Sequence, residues 1–471
     1  MKISNTYING EIDNKDTGIN FQLINPSNEE DVGSLICSSE EQINKAVISA
    51  KNAQENSENL SIKERIYILE QIIDGIELNK EELANAMTLE MGAPIKLTTS
   101  AHIQMGLDHL INTINVLKNY KFSESSDGFE IIRSPIGVVA LITPWNWPLN
   151  QTLTKIASSI AAGCSIIIKP SEYSSLSAKI LIDIIDKTDL PKGIFNMVNG
   201  VGKDIGPFIT SHPDINMISF TGSTEAGINI QELAAKSVKR VSLELGGKSA
   251  HIICQNVDLN TAIPNAIDQC FINSGQSCSA PTRLLVHEND ITEINEIIIN
   301  HVKNITTGDP MVNETDLGPV VNKKQFNSIQ QYIESGIKDK FDLVTGGLGR
   351  CNDCLKGFYI KPTIFTNVSN QSKIAQEEIF GPVLCIISYK DINDAISIAN
   401  DSKYGLSSYI TSNNNDEAMK IAKKLRAGQT IINKKSRGSV PAPFGGFKMS
   451  GNGREHGQHG LEEYLEIKAI I

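Results

Sequence analysis

One cysteine has neighbours that suit a nucleophile better than a packed core. Residues 271–286 read FINSGQSCSAPTRLLV, which places Cys278 among small polar residues just before an apolar run. A buried structural cysteine usually packs among Val, Ile and Leu as a small hydrophobic side chain. A reactive thiolate instead needs backbone N–H groups and space for a substrate to approach. Cys278 is therefore the candidate nucleophile, with a structural role as the alternative.

A glutamate at the end of a predicted strand could act as a base for this thiol chemistry. In RVSLELGGKS (240–249), strand alternation separates Glu244 from the apolar Val241 and Leu243, and two glycines follow Leu245. Apolar surroundings raise the pKa of a carboxyl group, and bare backbone beside it admits a ligand. Both are conditions for a general base. An ordinary solvated strand glutamate is the alternative.

An asparagine follows another apolar strand, in the segment ITPWNWP (142–148). Asn146 lies between two tryptophans, and two prolines stiffen the turn. Its carboxamide could donate a hydrogen bond to an oxyanion that forms on a substrate. Alternatively, Asn146 completes the turn and has no chemical role.

Three further strand ends carry residues that suit a nucleotide. Lys169 and Glu172 of KPSE can donate to and accept from the hydroxyls of a ribose, with an exposed salt bridge as the alternative. Gly222 of FTGSTEAG stands where a strand meets a helix, and helix N–H groups there can bind a phosphate. The turn VNGVGKDIG (198–206) is similar. Neither turn is a complete G-x-G-x-x-G motif, so each is weak evidence by itself.

The elements that position these residues alternate between strand and helix. After a largely helical first ~130 residues, this alternation predicts βαβ units and a parallel sheet, where ligands gather at the carboxyl ends of the strands. The glycine-rich tail PFGGFKMSGNGREHG (443–457) predicts a loop, with His456 and His459 at the surface. The predicted strands are 136–145, 164–169, 193–198, 216–222 and 240–247, and the predicted helices are 62–76, 81–92, 151–162, 174–187, 203–210 and 223–236.

Length and composition restrict the class of protein. A chain of 471 residues predicts two or three domains, and its net charge of −11 argues against nucleic acid or an anionic membrane as partner. We find no signal peptide and no apolar stretch long enough to span a bilayer. Eight cysteines are too few for a disulfide scaffold, so we expect a cytoplasmic protein with reduced thiols. Cys351-x-x-Cys354 lacks further ligands at zinc spacing, so no metal is expected.

Taken together, the motifs ITPWN, KPSE, FTGSTEAG, ELGGKS, GQSCSA, EEIFGP (377–382) and PFGGFKMSGNGRE resemble the aldehyde dehydrogenase superfamily over essentially the whole chain. The resemblance implies an α/β protein with a Rossmann-like parallel-sheet cofactor domain, an α/β catalytic domain and a small β oligomerisation arm. The implied divisions are 1–117 and 136–246 for the NAD-binding domain, 247–445 for the catalytic domain, and 118–135 with 461–471 for the arm.

The same resemblance implies a role for each candidate residue. Cys278 is similar to the nucleophile that attacks the aldehyde carbon, Asn146 to the oxyanion donor, and Glu244 to the base that activates water against the acyl-thioester. The cofactor would be NAD, with NADP possible. Its implied contacts are Lys169 and Glu172 at the adenosine ribose, Gly222 and Ser223 at the pyrophosphate, Gly246 near the nicotinamide, Glu378 at the nicotinamide ribose, and Phe380 and Trp145 nearby.

The substrate and three rival functions stay open. Ser277 and Ser279 flank the thiol without an arginine, which favours a neutral aliphatic or aromatic aldehyde. Residues 433–442, expected near the aldehyde entrance, carry no readable signal. A coenzyme-A-acylating enzyme would not need Glu244, a phosphorylating one would pair its cysteine with a histidine, and a non-catalytic protein would not need the three catalytic residues. The predicted assembly is a homodimer or homotetramer.

Overall fold

The computed structural model describes residues 2–351, 354–433 and 441–471. Its strands are β1 Lys2–Ile3, β2 Tyr7–Ile8, β3 Glu11–Ile12, β4 Asn20–Ile24, β5 Asp31–Ile36, β6 Ser123–Ser126, β7 Phe129–Pro135, β8 Val138–Ile142, β9 Ser165–Lys169, β10 Phe195–Met197, β11 Met217–Thr221, β12 Arg240–Glu244, β13 Ala250–Ile253, β14 Arg283–His287, β15 Asp342–Thr345, β16 Thr363–Thr366, β17 Val383–Tyr389, β18 Tyr404–Gly405, β19 Ser407–Thr411, β20 Gln429–Ile432, β21 Phe447–Lys448 and β22 Leu465–Ile470.

The helices pack on both faces of the two large sheets. They are α1 Glu40–Asn59, α2 Ile62–Leu78, α3 Lys80–Met91, α4 Ile95–Leu97, α5 Ile103–Leu117, α6 Pro148–Ala162, α7 Ser175–Ile185, α8 Gly202–Ser211, α9 Thr224–Ala235, α10 Leu259–Phe271, α11 Ile291–Val302, α12 Lys323–Lys338, α13 Lys373–Gln376, α14 Ile392–Asn400, α15 Asn415–Ala422 and α16 Gly457–Glu462. A π-helical turn, Thr98–His102, precedes α5. No helix in the described ranges is long and apolar enough to cross a membrane.

The first large sheet contains the five parallel strands that the alternation predicts. Its order is β12-β11-β8-β9-β10-β2-β3, and β12 through β10 run parallel. Every residue of β8, β9 and β11 is buried, as expected for strands covered on both faces. The two short strands β2 and β3 add an antiparallel edge that was not predicted, because two-residue strands carry no periodic signal.

The second large sheet repeats this architecture and supports the cysteine loop. Its order is β15-β16-β17-β14-β13-β19-β20, parallel except for β15. Cys278 lies between α10 and β14, so the loop leads from a helix into a central strand. The fold is therefore α/β, built on two mainly parallel sheets.

Smaller sheets lie outside these two. Strands β22, β7 and β6 form an antiparallel sheet, which joins the last strand of the chain to residues 123–135. Strands β1, β5 and β4 form another, within the first ~130 residues, which were predicted to be largely helical. The β22-β7-β6 sheet comes from the residues assigned above to an oligomerisation arm.

Local sequence signals explain where the helices that frame the site begin and end. Helix α6 starts at Pro148, a favoured residue in the first turn because its missing N–H would have no partner there. The helix therefore begins three residues before the predicted 151 and ends as predicted at Gly163, whose φ is 87°. Helix α3 also ends as predicted, at Gly92 with φ 80°.

Candidate active site

A strained backbone segment presents the thiol. Asn273 and Ser274 both have φ 55°, and Gly275 follows with φ 72°. A Cβ on Gly275 would come within 2.2 Å of Gly381, so a glycine is required there. Hydrogen bonds hold the segment: the Ser274 hydroxyl donates to the Gly318 carbonyl over 2.8 Å. Non-glycine residues with positive φ persist only where surrounding structure fixes them, and they concentrate at functional sites.

Cys278 is half-buried where two cavities meet. It and Gln151 line both of them. A Cβ on Gly247 would lie 2.4 Å from the Cys278 carbonyl oxygen, which explains why bare backbone passes here. On the other side, the Trp147 indole N–H donates to the Ser277 hydroxyl over 3.3 Å. The thiol is thus reachable from two directions while its loop is fixed.

Asn146 lies beside this loop and is 4% exposed. Its carboxamide Nδ2 donates to the Gln276 carbonyl over 3.1 Å, and the Asn273 side chain donates back to the Asn146 carbonyl over 2.8 Å. A carboxamide nitrogen has two hydrogens, so one remains for an oxyanion next to Cys278. The geometry is compatible with the oxyanion role that the sequence predicts.

Glu244 is 2% exposed, and it is absent from the described residues that line the two cavities. Neither carboxylate oxygen has a hydrogen-bond partner in the described part of the chain. Burial and the nearby Glu455 carboxylate raise the pKa of Glu244 well above its usual value. The glycine-rich tail holds its strand, because Gly451 pairs with Glu244 across an antiparallel bridge. In this arrangement Glu244 is a buried carboxyl group that no described residue holds by a hydrogen bond.

A buried ion pair stands behind Glu244. The Lys155 ammonium of α6 contacts the Glu455 carboxylate, and it also donates to the Ser219 hydroxyl of β11 over 2.8 Å. Lys155 and Glu455 are 1% and 7% exposed. They act on Glu244 in opposite directions: Lys155 lowers its pKa and Glu455 raises it. This pair is not visible in the sequence, because nothing in the spacing of residues 155 and 455 brings them together.

The larger cleft collects most of the predicted cofactor residues. Trp145 and Phe380 face each other edge-on, with ring centroids 5.5 Å apart. The Ser223 hydroxyl caps the N-terminus of α9, and the buried Thr221 hydroxyl beside it has no partner in the described ranges. A helix N-terminus with a spare hydroxyl suits a phosphate. The cleft is lined by Pro144, Trp145, Asn146, Gln151, Thr221, Gly222, Ser223, Leu245, Gly246, Cys278, Gln325, Ser328, Glu378, Ile379 and Phe380.

Glu378 crosses this cleft to the glycine pair after β12. Its Oε1 accepts from the Gly247 N–H over 3.0 Å, and a Cβ on Gly246 would lie 2.2 Å from its Oε2. Burial raises the pKa of Glu378 to about 7, although the hydrogen bond from the Gly247 N–H and the charge of Lys248 both lower it. A carboxylate that approaches bare backbone in an open cleft can accept hydroxyl hydrogen bonds. These residues therefore fit a nicotinamide dinucleotide.

Lys169 and Glu172 lie at the end of β9 and in the turn that follows it. Their charged groups are 3.5 Å apart, and the Lys169 ammonium also donates to the Pro170 carbonyl over 2.9 Å. Burial lowers the pKa of Lys169, while Glu172 opposes that shift. Neither residue lines the two cavities at Cys278, so this pair marks a separate position along the same sheet edge.

The second cavity leads from Cys278 towards the glycine-rich tail. Sequence reasoning missed most of its wall, because lone aromatic and polar residues on helices carry no distinctive spacing. His456, predicted at the surface, is only partly exposed and lines this cavity, while the His459 side chain is 62% exposed as predicted. The lining residues are Met105, His109, Trp147, Asn150, Gln151, Ser277, Cys278, Ser279, Tyr409, Gln429, Ile431, Phe444 and His456.

The remaining cysteines lie away from this chemistry. Cys37, Cys164, Cys254, Cys270 and Cys385 are buried in the core. The sulfur atoms of Cys351 and Cys354 are 2.8 Å apart. Of the segment 433–442, expected near the aldehyde entrance, residues 434–440 lie outside the described ranges.

Comparisons with known proteins agree on the class. The profile of the aldehyde dehydrogenase family matches residues 13–470. A 3-succinoylsemialdehyde-pyridine dehydrogenase of a Pseudomonas species is 43% identical over 466 residues, covering 99% of this chain and 98% of the relative. A putative aldehyde dehydrogenase of Staphylococcus saprophyticus is 42% identical over 464 residues, covering 98% of both chains.

Solved structures give the same result. A variant of aldehyde dehydrogenase C from Pseudomonas syringae, in complex with NAD+ and octanal, has a TM-score of 0.97 and 42% identity, covering 99% of this chain and 96% of that one. Betaine aldehyde dehydrogenase from Staphylococcus aureus, in complex with NAD+, has a TM-score of 0.95 and 33% identity, covering 99% and 94%. This chain belongs to the aldehyde dehydrogenase family. It is an oxidoreductase that acts on the aldehyde group with a nicotinamide cofactor.

Proposed function

We propose that the protein oxidises a neutral aldehyde to the carboxylic acid with NAD, through a thioester on Cys278 that water hydrolyses. The observation that carries this is the position of Cys278, which is shared by a cleft fitted to a dinucleotide and a cavity that leads elsewhere. A thiol at such a junction can hold a substrate between two partners. The cofactor, when bound, supplies the hydride acceptor.

The first half of the reaction depends on Cys278 and Asn146. The Cys278 thiolate attacks the aldehyde carbon, and a tetrahedral thiohemiacetal forms on the sulfur. Its oxyanion lies within reach of the remaining Asn146 N–H and the Cys278 backbone N–H. These donors stabilise the charge, and its collapse expels hydride and leaves an acyl-thioester.

The second half depends on Glu244. Because no described residue holds its carboxylate by a hydrogen bond, the side chain can rotate towards Cys278 past the bare backbone of Gly246 and Gly445. A Cβ on Gly445 would lie 2.8 Å from Glu244 Oε1, so the glycine leaves space beside the carboxylate. There it takes a proton from the attacking water. Because its pKa is raised, the ionised Glu244 carboxylate binds a proton more strongly than an ordinary glutamate does.

The cofactor contacts follow from the cleft. We assign the nicotinamide end to Gly246, Glu378, Phe380 and Trp145, and the pyrophosphate to Gly222 and Ser223. The adenosine ribose would lie at Lys169 and Glu172, where a carboxylate favours a free 2′-hydroxyl over a 2′-phosphate. NAD is therefore the preferred cofactor, and Lys169 leaves room for some use of NADP.

The domain divisions and the assembly belong to the same proposal. Residues 1–117 and 136–246 bind the cofactor, 247–445 carry the thiol, and 118–135 with 461–471 form an arm that pairs with a second copy. Strand β22 supports this, because Ile467 and Ile470 are 71% and 44% exposed on an edge that a partner would cover. A monomer by light scattering at micromolar concentration would contradict it. A cytoplasmic location stays a prediction from the low cysteine density.

One assay separates this function from its rivals. Purified protein is mixed with NAD and a series of neutral aldehydes, with and without coenzyme A and with and without phosphate, and NADH and the acid are quantified. We expect equal amounts of both without coenzyme A or phosphate. Dependence on coenzyme A or on phosphate would show a different acyl acceptor, and no NADH with any aldehyde would contradict the proposal.

A further inference from the structure

The cavity that leads from Cys278 to the tail has an unusual wall of stacked rings. The ring centroids of Phe444 and His456 are 5.4 Å apart with their planes inclined by 26°. The His456 and His109 rings are 4.3 Å apart and inclined by 41°. Trp147 lines the same cavity and stacks on His102 behind it at 4.1 Å. Aromatic and imidazole rings therefore form a large part of the wall that an entering substrate meets.

The charge of the cavity limits what it can hold. None of the described residues that line it is an aspartate, glutamate, lysine or arginine. Against these residues a carboxylate or ammonium group on the substrate would lose its hydration without gaining a counter-charge. The described wall therefore favours a substrate that is neutral along the part it contacts.

Both imidazoles have already used their N–H groups. His109 Nε2 lies 2.6 Å from Asn150 Oδ1, an oxygen that only accepts, so this ring nitrogen carries the hydrogen. His456 donates to the backbone carbonyl of Ala442. Burial lowers the pKa of His109 and of His456, so both rings stay neutral at physiological pH. A neutral imidazole with one N–H has one acceptor nitrogen left.

We propose that this pair selects an aldehyde carrying a hydroxyl group away from the carbonyl, whose O–H donates to the free nitrogen of His109 or His456. The body of the substrate between the two groups is apolar and packs against the rings. This inference rests on the proposed function, because it takes Cys278 as the reacting atom. It adds a specificity determinant that the catalytic residues do not supply.

The test compares aldehydes that differ only in the hydroxyl. 3- and 4-(hydroxymethyl)benzaldehyde are assayed for kcat/KM against 3- and 4-ethylbenzaldehyde, which have nearly the same shape and no donor. For at least one isomer we expect a preference of about tenfold or more for the hydroxyl compound, since an ethyl group leaves a buried acceptor unpaired. A ratio near one for both isomers would overturn the inference.

Ring-preserving variants identify the acceptor. His456→Phe and His109→Phe keep the stack but remove the nitrogen, so at least one should bring the ratio close to one. The matched control is His459→Phe, at an exposed histidine three residues along the chain, which should keep the wild-type ratio. The ratio does not depend on how much variant is correctly folded. If both cavity variants keep the full preference, another group recognises the hydroxyl and the inference is wrong.

The outcomes also separate this inference from the proposed function. If neither aromatic pair is oxidised while octanal is, the hydroxyl inference fails and the proposed function stands. If no aldehyde yields NADH, the proposed function fails first.

Discussion

Replacing Glu244 by Gln should separate the two halves of the reaction. The substitution keeps the size of a buried side chain that has no hydrogen-bond partner in the described chain, so the fold should tolerate it. Attack by Cys278 and hydride transfer can still occur once in each active site. The thioester then waits for water that no base activates.

The size of the effect follows from the chemistry of a single base. Loss of one general base typically costs 10²–10⁴-fold, so the steady-state kcat should fall by roughly that factor. A burst of up to about one reduced cofactor per active site should remain, because the acyl-enzyme still forms. In Cys278→Ala both the burst and the turnover should disappear.

Rapid mixing with NADH fluorescence at two pH values measures both phases. Glu232→Gln, at an exposed position on α9, serves as the matched control and should behave as wild type. If Glu244→Gln shows no burst at either pH while it still binds NAD, Glu244 acts mainly in deprotonating Cys278. The division of roles proposed above would then be wrong.

Three further predictions concern buried charges. Lys155→Met should move the pH profile of deacylation upwards by about one unit or more, and Glu455→Gln should move it downwards, because Lys155 lowers and Glu455 raises the pKa of Glu244. Single-turnover rates measured against pH test this. Shifts of the same size and direction in both variants would refute it. Glu172→Gln should improve kcat/KM with NADP relative to NAD by about fivefold, the value of ~1 kcal/mol of repulsion; an unchanged ratio would show that this carboxylate does not face the 2′ position. Burial raises the pKa of Glu90 from 4.5 to about 8, so protonation of this carboxyl group stabilises the fold below pH 4.5, and that stabilisation is lost as the pH rises through 8. Between pH 6 and 9 the free energy of unfolding, measured by chemical denaturation, should therefore fall less in Glu90→Gln than in wild type. An identical fall in both proteins would contradict the shift.

The sequence predicted positions most accurately for polar and glycine residues that directly follow a buried strand. Buried parallel strands are short apolar runs, so the strands that lead to Asn146, Lys169, Gly222 and Glu244 were visible, and the structure places these residues along one sheet edge. Their roles stay predictions. The ring wall was not visible, because His109 lies on an amphipathic helix where one histidine looks like any core residue.

The position of His456 has a physical cause. A glycine-rich tail favours a loop at the surface, and the sequence alone does not show what the loop packs against. In the structure Gly451 packs against the backbone of β12. A Cβ added to Gly451 would lie 2.0 Å from the Leu243 carbonyl oxygen, so the close approach requires a glycine. The glycines thus serve close packing on β12, and this brings His456 inside. The position of Glu244 outside both cavities was equally unreadable, because a sequence does not show which residues form a cavity wall.

The pairing of the tail with β12 joins catalysis to the end of the chain. Within residues 444–470 the chain lines the second cavity at Phe444, pairs with Glu244 at Gly451 and contributes Glu455 to the ion pair with Lys155, and it then forms the exposed strand β22. Arg240, at the start of β12, donates to the carbonyl of Leu465 over 2.7 Å and so ties the start of β22 to β12. The chain that packs against Glu244 at Gly451 therefore continues into the exposed strand β22, and we expect a tag or a truncation at β22 to alter turnover.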